Sequence, residues 1–316
     1  MTEHFVTLFD KNFLVFGLAL HKSLQDHAGD FCLWVLCMDR TAEERLLSLN
    51  LPKLRVIPLA AAENDELLRI KPGRNAGEYC WTMTPFSITA VFSQDPSVNR
   101  VTYVDADVFF FNDPRILIQE MIEAGKHVLI TDHAYEPCYD QTATSGRFCV
   151  QFMTFNRSEE GLKVCKWWQD RCVEWCFNRV ENGKFGDQKY LDSWPTIFPK
   201  EVHILEAVHE TLAPWNVKML LKPGHRPVMY HFHGLRFMNR RLVRLFDGYQ
   251  TGCEAKTLYS KYLSELKTIL SHKDVNYFDL IIESAPNGLR QHAGRLWRKL
   301  KGARAEKSIF DTENGL

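Results

Sequence analysis

Two short runs constrain this chain more than anything else in it. Phe5-Val-Thr-Leu-Phe9 and Phe31-Cys-Leu-Trp-Val-Leu-Cys37 are apolar at almost every position. A strand with one face in water alternates apolar and polar residues, whereas a strand buried on both faces reads as a continuous apolar run. Between the two runs, Phe13 to Gln25 has helical apolar spacing and ends near His27-Ala-Gly29. Thr41-Ala-Glu-Glu44 has the form of a capping box and predicts a helix to about Leu49, and Leu54-Arg-Val-Ile57 reads as a third strand. Such β-α-β-α-β alternation predicts an α/β fold, a mainly parallel sheet flanked by helices.

Further along, the spacing predicts a helix over roughly Thr84 to Ser93, strands at Val128–Thr131 and Phe148–Phe155, and a Trp- and Cys-rich helix from Gly161 to Arg179. A short helix follows at Lys189–Ser193, then late strands at Val202–Leu205 and Val228–His233. Beyond about Arg240 the pattern becomes helical, through Lys256–Leu270 and Val275–Ser284. We therefore expect a catalytic domain over 1–240 and a helical extension over 241–316. Within the extension, Leu289, Ala293, Leu296, Trp297 and Leu300 share one helical face among basic residues, so 289–304 is a candidate membrane-surface contact.

The chemistry concentrates in Val101-Thr-Tyr-Val-Asp105-Ala-Asp107-Val-Phe-Phe-Phe111. Carboxylates are costly to bury unless paired or bound to metal. At i and i+2 of an extended chain, Asp105 and Asp107 would project to one side and could meet a hard divalent cation. In open α/β sheets ligands bind beyond the carboxyl ends of the strands, where Asp10, Asn12, Asp105 and Asp107 would all lie.

Bulk composition narrows the partners. The 316 residues hold 39 Lys+Arg and 39 Asp+Glu, so charge predicts no nucleic-acid partner. Nine cysteines, an odd number mostly set among apolar residues, predict reduced thiols and a cytoplasmic setting. No window of about 18 apolar residues predicts a membrane span.

The motifs together resemble GT-A-fold glycosyltransferases, nearest to family 8, the glycogenin and lipopolysaccharide galactosyltransferase type, and a related group of bacterial nucleotide-diphospho-sugar transferases. The resemblance covers roughly Phe5 to Arg236. Asp10-Lys-Asn12-Phe13 is similar to a segment that seats the uracil base. Asp105-Ala-Asp107 resembles the Asp-x-Asp motif that holds Mn²⁺ or Mg²⁺ against the donor diphosphate. Gly186-Asp187-Gln188 resembles the segment against the donor sugar. Ala213-Pro-Trp215-Asn216 resembles a Pro-x-x-Trp-Asn element. His231-Phe-His233-Gly234 resembles His-x-x-Gly, whose His is the third metal ligand, and its spacing selects His231 over His233.

The resemblance implies transfer of a sugar from a UDP-sugar, with retention, to a glycan or lipid-linked glycan such as a lipopolysaccharide or capsule precursor. Catalytic roles would fall to Asp187 and Gln188. Three departures stand out. Gln151 replaces a glycine, Tyr79-Cys-Trp81 stands where an arginine is expected, and the Lys-Pro-Trp after His-x-x-Gly is missing, its charge open to Arg236. Two other readings of the residues remain. One is a haloacid-dehalogenase-type phosphatase with Asp105 as nucleophile, and the other is a sugar-nucleotide-binding module without turnover.

Overall fold

The structure is a computed structural model and describes residues 2–238 and 242–271 and the strand Glu306–Ser308. In chain order, β1 (Glu3–Phe9), α1 (Leu14–His27), β2 (Phe31–Cys37), α2 (Arg40–Leu49), β3 (Leu54–Pro58), α3 (Asp65–Ile70) and α4 (Ala76–Gln94) form the first half. Next come β4 (Arg100–Val104), β5 (Val108–Phe110), α5 (Arg115–Glu123), β6 (Val128–Asp132), α6 (Thr142–Ser145), β7 (Phe148–Asn156) and α7 (Glu159–Glu174). The chain continues through α8 (Trp194–Ile197), β8 (Val202–Ile204), β9 (Thr211–Leu212), α9 (Val217–Leu220), β10 (Met229–His231), β11 (Arg236–Phe237), β12 (Leu242–Arg244) and α10 (Lys256–Leu270).

The central sheet has the order β3-β2-β1-β4-β7-β6-β8. Only β7 runs against its neighbours, so the sheet is mainly parallel, as expected. The two all-apolar strands behave as their composition requires. Phe5 and Phe9 of β1 and Leu33 and Val35 of β2 enter one core with α1, α5 and α10. Val6, Leu8, Trp34 and Leu36 enter the other with α4 and α7. Each fully buried aromatic or aliphatic side chain contributes about 1.5–3 kcal/mol, so a polar substitution on either face of these strands loses a core contact. On the first face, α10 lays Tyr262 flat on Phe232, with ring centroids 3.8 Å apart.

Several boundaries differ from the sequence reading. The cap of α2 is Asp39, whose side chain accepts from the Ala42 amide, and Thr41 lies inside the helix. An aspartate two residues earlier caps the Ala42 amide, so no Thr41 box forms. Helix α4 starts at Ala76 behind a reciprocal Asn75/Glu78 capping box and runs through Pro85. Helix α7 stops at Glu174 because Trp175 turns extended. The segment after it folds back, and the Gly186 amide donates to the Phe177 carbonyl. Asp105 to Asp107 is not part of one continuous strand. The carboxylates sit in a tight turn, with the Val108 amide on the Asp105 carbonyl at 3.1 Å. There β4 leaves the large sheet and β5 enters a small one of order β5-β10-β9. The helix expected at 275–284 and the amphipathic stretch 289–304 lie outside the described residues.

Candidate functional site

The turn at Asp105–Asp107 is aimed by two pairings. β5 pairs antiparallel with β10, setting His231 opposite Val108, the residue after Asp107. The Phe232 amide also donates to the Asp107 carbonyl at 2.8 Å. A histidine more than 120 positions away is thereby fixed beside the carboxylates. His231 Nε2 lies 3.1 Å from Asp107 Oδ1 and 3.8 Å from Asp105 Oδ2. Asp107 and His231 are buried, and Asp105 is half-buried.

Gln151, from the centre of β7, completes the arrangement. Its Oε1 lies 2.9 Å from His231 Nδ1. An amide oxygen only accepts, so Nδ1 carries a proton; Nε2 faces the carboxylates, and a metal bound there would displace the proton it shares with Asp107. The Gln151 backbone carbonyl also accepts from the Asp105 amide at 3.1 Å. One residue therefore ties both ligand segments to the sheet. Gln151 Nε2 is buried without a hydrogen-bond partner.

Charge runs through the cluster in both directions. Burial alone would keep Asp107 neutral, but His231 and then Arg236 hold its carboxyl far below the usual range. Burial likewise opposes protonation of His231, yet the Asp107 carboxylate pulls it well upward. For Asp105, burial wins and raises the carboxyl. Two carboxylates and an imidazole suit Mn²⁺ better than Ca²⁺. Neighbouring ligands about 2.1 Å from an octahedral ion stand about 3.0 Å apart, close to the Asp107–His231 separation. The residues present fit such an ion.

The cluster opens into a cavity of about 430 Å³. Phe13, Asp187 and Gln188 line it alongside the three candidate ligands. Asp10 and Asn12 do not line it. Asp10 caps the turn after β1 by accepting from the Asn12 amide and side-chain nitrogen at 2.9 and 2.8 Å. The Arg236 guanidinium covers the Phe13 ring at 4.8 Å and lies 3.6 Å from Asp107. Asp187 is buried, and its carboxyl is pushed up to about 8, first by burial and then by the charge of Asp105. Gln188 Nε2 donates to the Ser145 carbonyl at 2.7 Å.

Gly234 has φ +80, and a Cβ there would stand 3.1 Å from the Asp247 amide nitrogen. That turn needs glycine, and it returns the chain to place Arg236 over the cavity. Trp215 and Asn216 both donate to the His133 carbonyl, at 2.8 and 2.9 Å. The Trp215 ring meets His231 edge-on at 5.6 Å. His233 lines the cavity but stands outside the Asp105, Asp107 and His231 group.

Gln151, behind His231, and Cys149, which lines the cavity, were not anticipated as part of the site. Gln151 looked like a departure in an apolar strand. Cys149 looked like core, yet its thiol faces His133 and His231. Burial would raise it, but those two rings bring it down to about 7. A polar side chain in a strand otherwise buried on both faces was the available signal for Gln151.

No family model matches the chain. Its fold is shared with solved GT-A glycosyltransferases. The galactosyltransferase LgtC, in complex with donor and acceptor sugar analogues, superposes with a TM-score of 0.51 at 13% identity over 84% of this chain and 95% of that one. The bifunctional enzyme WbbM gives 0.53 at 13% identity over 89% of this chain and 51% of that one. Among curated proteins, the uncharacterized protein YfnF of Bacillus subtilis (strain 168) is 30% identical over 287 residues, which is 86% of this chain and 94% of YfnF. YfnD of the same organism is 30% identical over 284 residues, 84% of this chain and 89% of YfnD. The chain has the GT-A glycosyltransferase fold and belongs to the family of YfnF and YfnD.

Proposed function

We propose that this protein is a metal-dependent glycosyltransferase of the family 8 type, taking a hexosyl group from a UDP-sugar and passing it, with retention, to a glycan or lipid-linked glycan. The observation that carries this reading is the convergence of Asp105, Asp107 and the Nε2 atom of His231 on the wall of the cavity. These three would hold Mn²⁺ or Mg²⁺. When bound, the ion offsets the negative charge that builds on the leaving diphosphate. Arg236 adds a fixed positive charge on the same side. Phe13 offers an apolar ring for the base, with Asp10 and Asn12 holding its turn in place. Asp187 would bind sugar hydroxyls. Gln188, its NH₂ group committed to Ser145, would address the sugar through its carbonyl oxygen.

Residues 1–240 would carry this activity, with 241–316 as an extension. All nine cysteines are free thiols, in keeping with a cytoplasmic setting. No helix among the described residues is long and apolar enough to cross a membrane.

The test is a panel of sugar nucleotides read by Mn²⁺-dependent thermal shift, followed by donor hydrolysis. A UDP-sugar should stabilise the protein only with the metal. Asp105→Asn or Asp107→Asn should lower donor turnover on the order of 100-fold or more, since each removes charge stabilisation of the leaving group. Phosphate-ester hydrolysis lost in Asp105→Asn, with no sugar-nucleotide turnover by the native protein, would establish the phosphatase reading instead. Metal-dependent UDP binding without hydrolysis or transfer across a broad acceptor panel would leave a binding module.

A further inference from the structure

A second group of metal-ligating side chains stands at the other end of β10, and nothing in the proposed glycosyl transfer uses it. His209 and Glu210 lie in the short turn before β9, and His225 lies in the loop before β10. Because β9 and β10 are parallel neighbours, with Thr211 opposite Met229, these two starting points are adjacent. Glu210 Oε1 lies 3.4 Å from His209 Nε2 and 3.2 Å from His225 Nε2. The ligand atoms all fall within 4.8 Å of one another.

Three features separate this group from a chance surface ion pair. First, the carboxylate is anchored, because Glu210 Oε2 accepts from the Val228 amide at 2.9 Å. That leaves Oε1 facing both imidazoles, the arrangement in which an outer hydrogen bond orients a ligand. Second, His225 Nε2 is shielded from solvent and makes no hydrogen bond, although it faces Glu210 Oε1 at 3.2 Å. A cation between the ring nitrogen and the carboxylate would satisfy both. Third, the two carboxylate–imidazole separations suit a tetrahedral site. Ligand atoms about 2.0–2.1 Å from a tetrahedral ion stand about 3.3 Å apart. The separations of 3.2 and 3.4 Å bracket that value.

We propose that His209, Glu210 and His225 form a second divalent-cation site, selective for Zn²⁺. Two imidazoles and one carboxylate are the donor set of a borderline ion, with a fourth position open to water. The proposed nucleotide-sugar site, with two carboxylates and one imidazole, is harder. A cation here would clip the start of β9 to the loop that feeds β10, and so brace the strand that presents His231 from its far end. The proposal does not depend on glycosyltransferase activity.

The experiment uses the full chain, stripped with a chelator and titrated with Co²⁺ and then Zn²⁺. Tetrahedral Co²⁺ should give strong visible absorption at one equivalent, displaced by Zn²⁺ and not by Mg²⁺. That signal should persist in an Asp105→Asn/Asp107→Asn double variant, which removes the other cluster. In His209→Ala and in His225→Ala the affinity should fall about tenfold or more. His209 is exposed, so its variant reports on binding without a risk to folding, and circular dichroism confirms both. No tetrahedral signal in the native chain would overturn the proposal. So would a signal lost in the Asp105→Asn/Asp107→Asn variant, or one unchanged in both histidine variants.

Discussion

Replacing Gln151 separates metal affinity from stability, and the structure fixes the direction of each. Gln151→Met fills about the same space with no polar atom. In the native chain Gln151 Nε2 is buried without a partner, and its removal relieves about 1–3 kcal/mol of desolvation. The same change orphans the Nδ1–H group of His231, which costs a similar amount. The two nearly cancel, so folding stability should move by less than about 1 kcal/mol. Metal affinity has no such compensation. Without Gln151 Oε1, neither the tautomer nor the ring orientation of His231 is held, and lost outer-shell partners typically cost about 10–100-fold in metal affinity. At about 1.4 kcal/mol per factor of ten, that is roughly 1.4–2.8 kcal/mol. Mn²⁺ binding would be read from the free-ion electron paramagnetic resonance signal, and stability from guanidinium unfolding. Gln151→Glu keeps an acceptor at Oε1 and should bind Mn²⁺ at least half as well as the native chain. A Gln151→Met protein with native circular dichroism and an Mn²⁺ Kd within twofold of the native value would refute the positioning role.

Other perturbations follow from the same geometry. In Gly161→Ala a Cβ would stand 2.2 Å from the Asn156 carbonyl oxygen, a backbone atom, whereas in Gly17→Ala it would meet the Phe9 ring at 2.3 Å. Overpacking of this kind costs about 1–3 kcal/mol, and a ring moves more easily than a backbone, so Gly161→Ala should lower the melting temperature more; the reverse order would contradict this. Arg236→Ala should raise KM for a UDP-sugar through loss of the guanidinium over Phe13, without weakening Mn²⁺ binding, since it removes a positive charge 3.6 Å from Asp107; weaker Mn²⁺ binding would count against that account. His21 is buried, donates its Nε2–H to the Pro52 carbonyl at 2.8 Å, and is held below its ordinary value of 6.5 by burial. The unfolded chain therefore takes up this proton first as pH falls, so the contribution of His21 is present above about 6.5 and is lost on acidification below it. His21→Gln should flatten the stability profile between about pH 5 and 7, and an unchanged slope would show that other groups set it.

Most of what could be read from the sequence was local. The all-apolar β1 and β2 required two covering layers, and Phe5/Val6 and Leu33/Trp34 divide between two cores as that rule demands. Pro85 obscured the first turns of α4, because proline biases the preceding residue away from helix, while the Asn75/Glu78 box that starts the helix lies well upstream. Asp105 and Asp107 were legible as costly carboxylates, but not as a turn. Nothing in Val101–Phe111 marks the change from one sheet to the other, since β5 exists only through its pairing with β10. His231 was placed by resemblance, and its partner was not, because their contact joins β7 to β10 across the sheet change.

Gln151 shows why a mismatch to a family pattern can be more informative than a match. A glycine at its position would leave His231 Nδ1 without this acceptor. Glutamine fills that space and supplies an oxygen 2.9 Å from the ring, at the cost of a buried nitrogen with no partner. A fold does not keep such a nitrogen for stability alone, because an apolar side chain of the same size would remove the penalty. The cost is offset only if the orientation of His231 matters. The departure in β7 and the ligand in β10 are therefore one feature. A sequence in this family that changes Gln151 to an apolar residue should also change how it holds the imidazole, through a different acceptor or a different third ligand.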